Sequence, residues 1–324
     1  MRRRRTRGRI AAVAVAAAAL CFSATTRAVA LPTAAQFERA TDRFLEQHRG
    51  AGAPAPRAGS GGVGEGGETA GSANLPATRV VAFYGAPQMG ATILGSRSPK
   101  GAARRLGRQS APYAQLGTRP VLGAFDLVSV FATAGGGPDG RYRTRQDSDV
   151  IQIYLDRARA IGARLILDVQ PGRSTFLKEL DVLTPWLSEP DVDLALDPEW
   201  NVGRRGVPGK TEGKVGARQV NRVAKALAEI VKAHGLPPKL LVVHQFRKGS
   251  VRSRRRLASP DGVQTVLNFD GIGAPAPKAS GYAALAGPVT TFNGFSLFYR
   301  RDTPLMKPRA VLRLEPEPDF LLYQ

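Results

Sequence analysis

Short apolar runs typical of β-strands alternate with helical patterns along the last three quarters of the chain. The runs are continuous and do not alternate apolar with polar residues, which is typical of parallel strands buried on both faces of a sheet. The runs cover residues 80–84, 121–128, 164–169, 194–197, 240–246, 265–270, 295–299 and 320–323.

Amphipathic helices are predicted between several of these runs. The clearest covers 217–233, where Val220, Val223 and Leu227 belong to one apolar stripe and Gly235 closes the pattern. Two similar helical patterns cover 149–161 and 174–187.

The number of strands and their spacing indicate the fold class. Eight strands in roughly 250 residues match the usual size of a (β/α)8 barrel, so we predict an α/β, TIM-type barrel over 75–324. A doubly wound open sheet is the alternative. It has less support, because no run is followed by the Gly-x-Gly-x-x-Gly turn that such sheets use to bind dinucleotides.

The N-terminal residues have the three parts of a secretory signal peptide. A segment rich in arginine ends at Arg9, an apolar run covers 10–22, and Ala28-Val29-Ala30 supplies the small-x-small site that signal peptidase requires. The apolar run is too short for a permanent membrane anchor. We therefore predict a signal peptide over 1–30, with Sec-type export to the cell wall or the extracellular space.

Cys21, the only cysteine, raises the alternative of a lipoprotein. Leu20 precedes it where a lipidation signal usually has a small residue, so this alternative is the less favoured one. If Cys21 is removed with the signal peptide, the mature chain has no thiol for disulfides or for a thiolate metal site. We predict no cofactor.

Residues 31–74 are predicted to connect the signal peptide to the barrel. Phe37, Ala40 and Phe44 recur at helical spacing and indicate a short helix over 34–49. The stretch 50–74 consists almost entirely of Gly, Ala, Pro, Ser and Glu. Such a composition cannot bury enough apolar area to offset its ordering entropy, and it predicts a disordered spacer.

The formal net charge is +21, and removal of the seven arginines of the signal peptide leaves +14. Such an excess favours polyanionic partners, among them anionic wall polymers, whereas nucleic acid is not expected outside the cell. Arginine supplies 37 of the 47 basic residues, and with abundant Ala and Gly this is typical of a high-GC genome. The charge is therefore interpreted mainly as surface composition. We expect a monomer without a stable transmembrane anchor.

Ionisable residues follow four consecutive apolar runs. Asp168, Asp197, His244 and Asp270 each come after three to five mostly apolar residues. In a parallel barrel these strand ends lie on one rim, where barrel enzymes have their active sites. An aspartate after a single strand often caps a helix or turns a loop, but four in succession favour a common site.

Period-two alternation extends the candidate site. It places Gln170 on the face of Asp168, and Glu199 on the face of Asp197. The apolar runs indicate a register in which Asp168 and Asp197 lie side by side, with Glu199 two residues further along the same face.

Three of these stretches carry a resemblance to a known family. Residues 167–173 (LDVQPGR), 194–200 (LALDPEW) and 242–246 (VVHQF) resemble a family of exported, largely uncharacterised proteins of high-GC Gram-positive bacteria. That family is similar in outline to the glycoside hydrolase barrel superfamily. The resemblance covers about three quarters of the chain and implies a (β/α)8 barrel and an extracytoplasmic location, but no particular reaction.

The strand-four stretch is also similar to the chitinase-like motif, in part. Asp197 and Glu199 match its last two acidic positions, whereas Val192 and Leu194 replace its first two aspartates. The seventh run, which ends at Tyr299, lacks the nucleophilic glutamate of many retaining barrel glycosidases. Substrate-assisted hydrolysis is therefore not predicted.

The leading hypothesis is a secreted glycoside hydrolase that acts on a cell-envelope or environmental polysaccharide. It needs one protonated and one ionised carboxyl. We assign Glu199 as general acid and Asp168 or Asp197 as base or nucleophile. The residues expected to bind sugar are His244, Gln245, Gln170, Asp270, Trp200, Tyr299 and Tyr84.

Two alternatives remain at this point. A barrel that binds wall glycan without cutting it agrees with the missing glutamate in strand seven and with the predicted spacer. A metal-dependent phosphodiesterase would use Asp, Glu and His as ligands, but the sequence lacks the paired histidines expected of such a site.

The predicted signal peptide can be tested directly. N-terminal sequencing of the protein secreted by its host should begin at Leu31, because cleavage follows Ala30. A mature protein that begins with a lipidated Cys21 would contradict this assignment.

Overall fold

The computed structural model describes residues 72–287 and 290–324. The predicted signal peptide, the helix 34–49 and the spacer up to residue 71 lie outside the described residues. The eight strands of the main sheet are β1 Arg79–Gly85, β2 Val121–Ala132, β3 Arg164–Val169, β4 Val192–Leu196, β5 Lys239–Gln245, β6 Val263–Phe269, β7 Phe292–Leu297 and β8 Phe320–Tyr323.

These eight strands form a closed parallel barrel. Each pairs with its neighbours in chain order, and β1 pairs with both β2 and β8, so the ring has no free edge. The predicted TIM-type barrel is thus confirmed, and all eight predicted runs are strands of it. The open doubly wound sheet is excluded by the pairing of the first strand with the last.

The helices of the fold lie between successive strands. They are α1 Pro99–Leu116, α2 Ser148–Arg159, α3 Phe176–Leu187, α4 Ala217–His234, α5 Pro275–Leu285 and the single turn α6 Pro308–Val311. The three helical patterns named from the sequence correspond to α2, α3 and α4. Between β5 and β6 the only helical segment of the described chain is a 3-10 turn, Arg254–Arg256.

Local sequence signals explain where these helices begin and end. The side chains of Ser98, Asp147 and Thr175 accept hydrogen bonds from the first backbone N–H groups of α1, α2 and α3. Gly235 ends α4 with φ 58°, a left-handed conformation that costs glycine little. The apolar stripe of α4, which includes Val220 and Leu227, is buried against the barrel.

Shorter strands join the loops at the C-terminal end of the barrel. Arg143–Arg145 pairs antiparallel with the end of β2, and both of its arginines donate to the buried carboxylate of Glu179 in α3, with each Nε–Oε distance 2.8 Å. Val215–Gly216 pairs with Val251–Arg252, which connects the loops after β4 and β5. These contacts fix the loops that surround the opening of the barrel.

A buried ion pair lies at the opposite, N-terminal end of the barrel. Arg164 donates from Nε and Nη2 to the two carboxylate oxygens of Asp193, at 2.6 and 2.8 Å, and both side chains are fully buried. Asp193 Oδ1 also accepts from the backbone N–H of Leu240 at 2.8 Å. Lys239 donates from Nζ to the carbonyls of Glu189 and Val192. Buried charge is thus matched by hydrogen bonds at the base, as stability requires.

Among the described residues no helix is long and apolar enough to cross a membrane.

The ion pair at the base can be tested by mutation. Asp193→Ala leaves the Arg164 guanidinium buried without its carboxylate, so we expect the free energy of unfolding to fall by about 3–5 kcal/mol. Chemical denaturation measures the loss, with the exposed Asp181→Ala in α3 as the control. The double variant Arg164→Met/Asp193→Leu should regain part of it, because no unpaired charge remains. A loss for Asp193→Ala no larger than for Asp181→Ala would contradict the assignment.

Candidate functional site

The inward side chains near the C-terminal ends of the strands form one acidic cluster. It contains Asp126 of β2, Asp168 of β3, Asp197 directly after β4, His244 of β5 and Asp270 directly after β6. The carboxylates of the cluster influence one another electrostatically, as expected if they share one opening. The predicted site residues Asp168, Asp197, His244 and Asp270 are therefore brought together.

A hydrogen-bonded network holds His244 in place. Its Nδ1 lies 2.7 Å from Asp270 Oδ2, and the other oxygen, Oδ1, accepts from Asn268 Nδ2 at 2.8 Å and from the hydroxyl of Ser296. Asn268 Nδ2 also lies 2.8 Å from Ser296 Oγ. Because the Asp270 carboxylate occupies Nδ1, the other ring nitrogen, Nε2, points to the remaining carboxyls.

Asp126 and Asp168 form the floor of the cluster. Both side chains are fully buried, and one oxygen of each lies 3.9 Å from His244 Nε2. None of their four carboxyl oxygens has a hydrogen-bond partner among the described residues, and neither does Nε2. Buried carboxylates without partners are costly, so the floor favours protonated carboxyls.

The pKa values of both floor carboxyls, Asp126 and Asp168, are strongly raised. Burial raises the pKa of Asp126 to about 7 and that of Asp168 to about 8, since the nearby carboxylates add to the effect and the charge of His244 only partly opposes it. Burial alone would lower the pKa of His244, but Asp270, Asp168 and Asp197 outweigh it and raise that pKa well above its ordinary value. At neutral pH the floor therefore combines a mostly protonated Asp168 and a partly protonated Asp126 with an imidazolium.

Asp197 and Glu199 lie closer to solvent than the floor. Asp197 is half-buried, and burial together with the charge of Asp168 raises its pKa well above the ordinary range. Glu199 lies in the 3-10 turn Pro198–Trp200, and its side chain reaches solvent at the rim. Partial desolvation and the charges of Asp270 and Glu212 raise the pKa of Glu199 as well.

The predicted register of Asp168 and Asp197 is wrong by two residues. Strand β4 begins at Val192, and Asp168 lies opposite Ala195, so Asp197 is two residues nearer the opening than Asp168. The chain then leaves the sheet as a 3-10 turn, and Glu199 does not continue the face of the strand. The stagger of parallel strands in a closed barrel places successive strand ends at different heights.

Glycine contributes to the position of Glu199. The backbone N–H of Gly213 donates to the carbonyl of Glu199 at 2.7 Å, which folds the following loop back on the turn. A Cβ atom at Gly213 would lie 2.5 Å from that same carbonyl oxygen. The approach is too close for any other residue, so Gly213 fixes the turn that carries Glu199.

Two further predicted residues border the cluster. Gln170 Nε2 lies 3.2 Å from the hydroxyl oxygen of Tyr84 and 3.4 Å from Asp197 Oδ2. The ring of Tyr84 lies edge-on to that of His244, with centroids 6.2 Å apart. Gln170 and Tyr84 thus form the wall of the opening on the side of β1 and β3.

Two of the remaining predicted sugar-binding residues, Gln245 and Tyr299, lie elsewhere. Gln245 alternates to the outer face of β5, where its amide donates to the carbonyl of Leu285 at 2.8 Å. The Tyr299 hydroxyl donates to Gln109 Oε1 of α1 at 2.6 Å, and its ring lies against Tyr323 on the outer side of the barrel. Trp200 is half-buried at the end of the 3-10 turn. Neither Gln245 nor Tyr299 belongs to the cluster, because each takes the outward position of its strand.

Sequence reasoning missed three members of the cluster: Asp126, Asn268 and Ser296. Asp126 lies inside an apolar run, between Phe125 and Leu127, so it does not mark a strand end. Its register with Tyr84 at the end of β1 shows why it reaches the site: β2 continues to Ala132, well beyond this level. A charged residue inside an otherwise apolar run was the available signal.

A small residue in β7 makes room for Asn268. A Cβ atom at Gly294 would lie 2.6 Å from Asn268 Oδ1, too close for any other residue. Gly294 lies directly opposite Asn268 in the sheet. The glycine therefore allows the amide to turn inward and to reach Asp270 and Ser296.

Within residues 72–287 and 290–324, no group of three or more His, Cys, Asp or Glu side chains has the arrangement of a metal site. No family model matches the sequence, and no curated protein is detectably similar to it. The chemistry of the cluster is therefore argued from its own geometry.

The altered proton affinity of Asp168 predicts a pH-dependent stability. The pKa of Asp168 is about 8 in the folded protein, compared with an ordinary value of 3.8 in the unfolded chain. Between these pH values the folded state holds a proton that the unfolded chain releases. The contribution of this group to stability is present below about pH 4 and is lost as the pH rises through about 8. Asp168→Asn cannot ionise, and we expect it to be more stable than the parent at pH 8.5 by on the order of 2 kcal/mol.

Denaturation at pH 5 and pH 8.5 measures this difference, which should grow with pH. Asp181→Asn, a change at an exposed carboxylate of α3, is the matched control and should show no such trend. An Asp168→Asn variant whose stability relative to the parent is the same at both pH values would contradict a protonated floor.

Proposed function

We propose that this protein is a glycoside hydrolase that acts on a cell-envelope or environmental polysaccharide after export. The observation that carries the proposal is the position of two carboxyls at the C-terminal opening of the barrel: the half-buried Asp197, whose raised pKa favours its protonated form, and the solvent-exposed Glu199. Hydrolysis of a glycosidic bond requires one carboxyl that donates a proton and one that is ionised.

Asp197 suits the role of general acid. Burial and the charge of Asp168 raise its pKa well above the ordinary range, so it carries a proton at neutral pH, yet part of its side chain reaches the opening. Asp168 itself is fully buried and cannot contact a polymer. We therefore assign Asp168 as a positioning residue beneath Asp197, in place of the base or nucleophile suggested by the sequence.

Glu199 suits the role of the ionised partner. It is the more exposed carboxyl of the pair, and water stabilises its charge better than that of Asp197. Partial burial and the charges of Asp270 and Glu212 raise its pKa, and the positive charges of His244 and Arg301 oppose that rise. As base it would activate water, and as nucleophile it would bond to the sugar. The anomeric configuration of the first product distinguishes these routes.

The other groups of the cluster orient the substrate and the acid. Gln170 lies within reach of Asp197, and Tyr84 borders the same wall. The His244 imidazolium, held in place by Asp270, lies beneath the opening with Nε2 toward the other carboxyls, where it would stabilise an ionised carboxyl after proton transfer. The resemblance to exported barrel proteins supports the location of the protein outside the cytoplasm.

A glycan-binding barrel without activity is the second candidate. At the level of the cluster, β7 contributes the hydroxyl of Ser296, where many retaining barrel glycosidases have a glutamate. This observation favours a binding site in which His244, Asp270 and Gln170 contact sugar hydroxyls and no bond is cut.

Incubation of the protein with a panel of purified polysaccharides distinguishes the hydrolase from the binding barrel. We expect release of reducing ends from at least one polymer, with an activity that falls at high pH as Asp197 loses its proton. Asp197→Asn and Glu199→Gln should each lower kcat/KM by about 100-fold or more, since each removes a group that transfers a proton or bonds to the sugar.

Asp181→Asn serves as the control and should retain full activity. Binding of a polysaccharide without any product would favour the binding barrel. Activity that is unchanged in both site variants would contradict the assigned roles.

A further inference from the structure

The positive charge of the fold is distributed unevenly between its two ends. At the N-terminal end four arginines have carboxylate partners: Arg79 with Glu317, Arg119 with Asp319, Arg159 with Asp191, and Arg164 with Asp193. Such paired charges attract few external ions. The loops at the C-terminal end differ, because they contain many bases and few acids.

We call the exposed bases of the loops after β4, β5 and β7 the basic rim. In the stretches 201–214, 246–250 and 298–301 the only acidic residue is Glu212, which forms an ion pair with Arg247. Among the described residues, no carboxylate lies within ion-pair distance of the other bases of this group. The basic rim consists of Arg204, Arg205, Lys210, Lys214, Arg247, Lys248, Arg300 and Arg301.

The loops that carry most of the basic rim form one connected surface. The strand pair Val215–Gly216 and Val251–Arg252 joins the loops after β4 and β5. The loop after β3 is attached through a bridge between Gly172 and Asn201 and through Arg173, whose Nε donates to the carbonyl of Gly206 at 2.7 Å. The charges are therefore held near one another, and their potentials add.

The basic rim also borders the acidic cluster. The charge of Arg301 lowers the pKa of Glu199, while Glu212, the partner of Arg247, raises it. Both effects require these side chains to lie close to the opening. A polymer that reaches Glu199 thus passes bases from the loops after β5 and β7.

We propose that the basic rim binds anionic groups of the substrate, so that the polysaccharide cut at the cluster is a polyanion. This inference rests on the proposed hydrolase function and adds its substrate class. Arginine binds carboxylate and phosphate through two parallel hydrogen bonds, and lysine adds point charges that attract either group. The anionic group is held at the rim, while the neutral sugar linkage reaches the cluster.

Carboxylate and phosphate groups share this chemistry, so the test includes both. Binding of the full protein is measured with a polymer of uronic acid, with a glycerol phosphate polymer and with a neutral glucan. We expect both, or one, of the anionic polymers to bind, with an affinity that falls as salt is added, and the neutral glucan to bind at least about tenfold more weakly. The preferred anionic polymer then identifies the group.

A quadruple variant removes part of the basic rim and leaves Arg301, which acts on Glu199, in place. Arg204→Gln/Arg205→Gln/Lys248→Gln/Arg300→Gln should weaken binding of the anionic polymer by about tenfold or more and make it less sensitive to salt. The matched control removes four exposed charges on the outer face of α4, through Arg218→Gln/Arg222→Gln/Lys225→Gln/Lys232→Gln. It should bind as the parent does.

The outcomes separate this inference from the function it rests on. If the anionic polymer binds through the basic rim but no polymer is cut, the hydrolase proposal fails. The basic rim is then still supported as the surface that binds the anionic polymer. If a neutral glucan is cut and the rim variant is unaffected, the hydrolase stands and the rim inference is overturned. Equal weakening in the α4 control, or equally tight binding of single-stranded DNA, would also overturn it, because diffuse charge would then explain the binding.

Discussion

The closure of eight parallel strands into a ring is the constraint on which the site depends. In a closed barrel every second side chain must point inward, and the inward positions near the strand ends have no other surface to reach. Five strands of this chain place an ionisable group at or directly after such a position. The carboxyls are thus held together by the closed sheet and not by any attraction between them.

Because these carboxyls are buried close together, the pKa values of Asp126 and Asp168 are raised. Asp126 and Asp168 are buried without hydrogen-bond partners, and they avoid the penalty for buried charge by retaining protons. At the N-terminal end of the barrel, the side chains of Arg164 and Asp193 are also buried, but there the two charges form an ion pair. The N-terminal end therefore holds buried charge in an ion pair, while the C-terminal end holds exchangeable protons on buried carboxyls beneath the opening.

The sequence predicted the eight strands and three of the helices, because continuous apolar runs and helical stripes reflect local burial. It also predicted that Asp168, Asp197, His244 and Asp270 converge, since each ends an apolar run. It could not predict the stagger between strands, which is decided by closure, so the register of Asp197 was wrong. Gln245 and Tyr299 were misplaced for a related reason: proximity to a strand end does not say which face a side chain takes.

The strand pair Val215–Gly216 and Val251–Arg252 has a consequence for how fast the protein can work. Loops that close over a substrate often limit turnover, because products wait for the loops to open. Here the entrance is braced by main-chain hydrogen bonds between two loops and by the paired arginines around Glu179. For the proposed hydrolase, an entrance braced in this way would admit a polymer at any point along its length and would release the products without a gating motion.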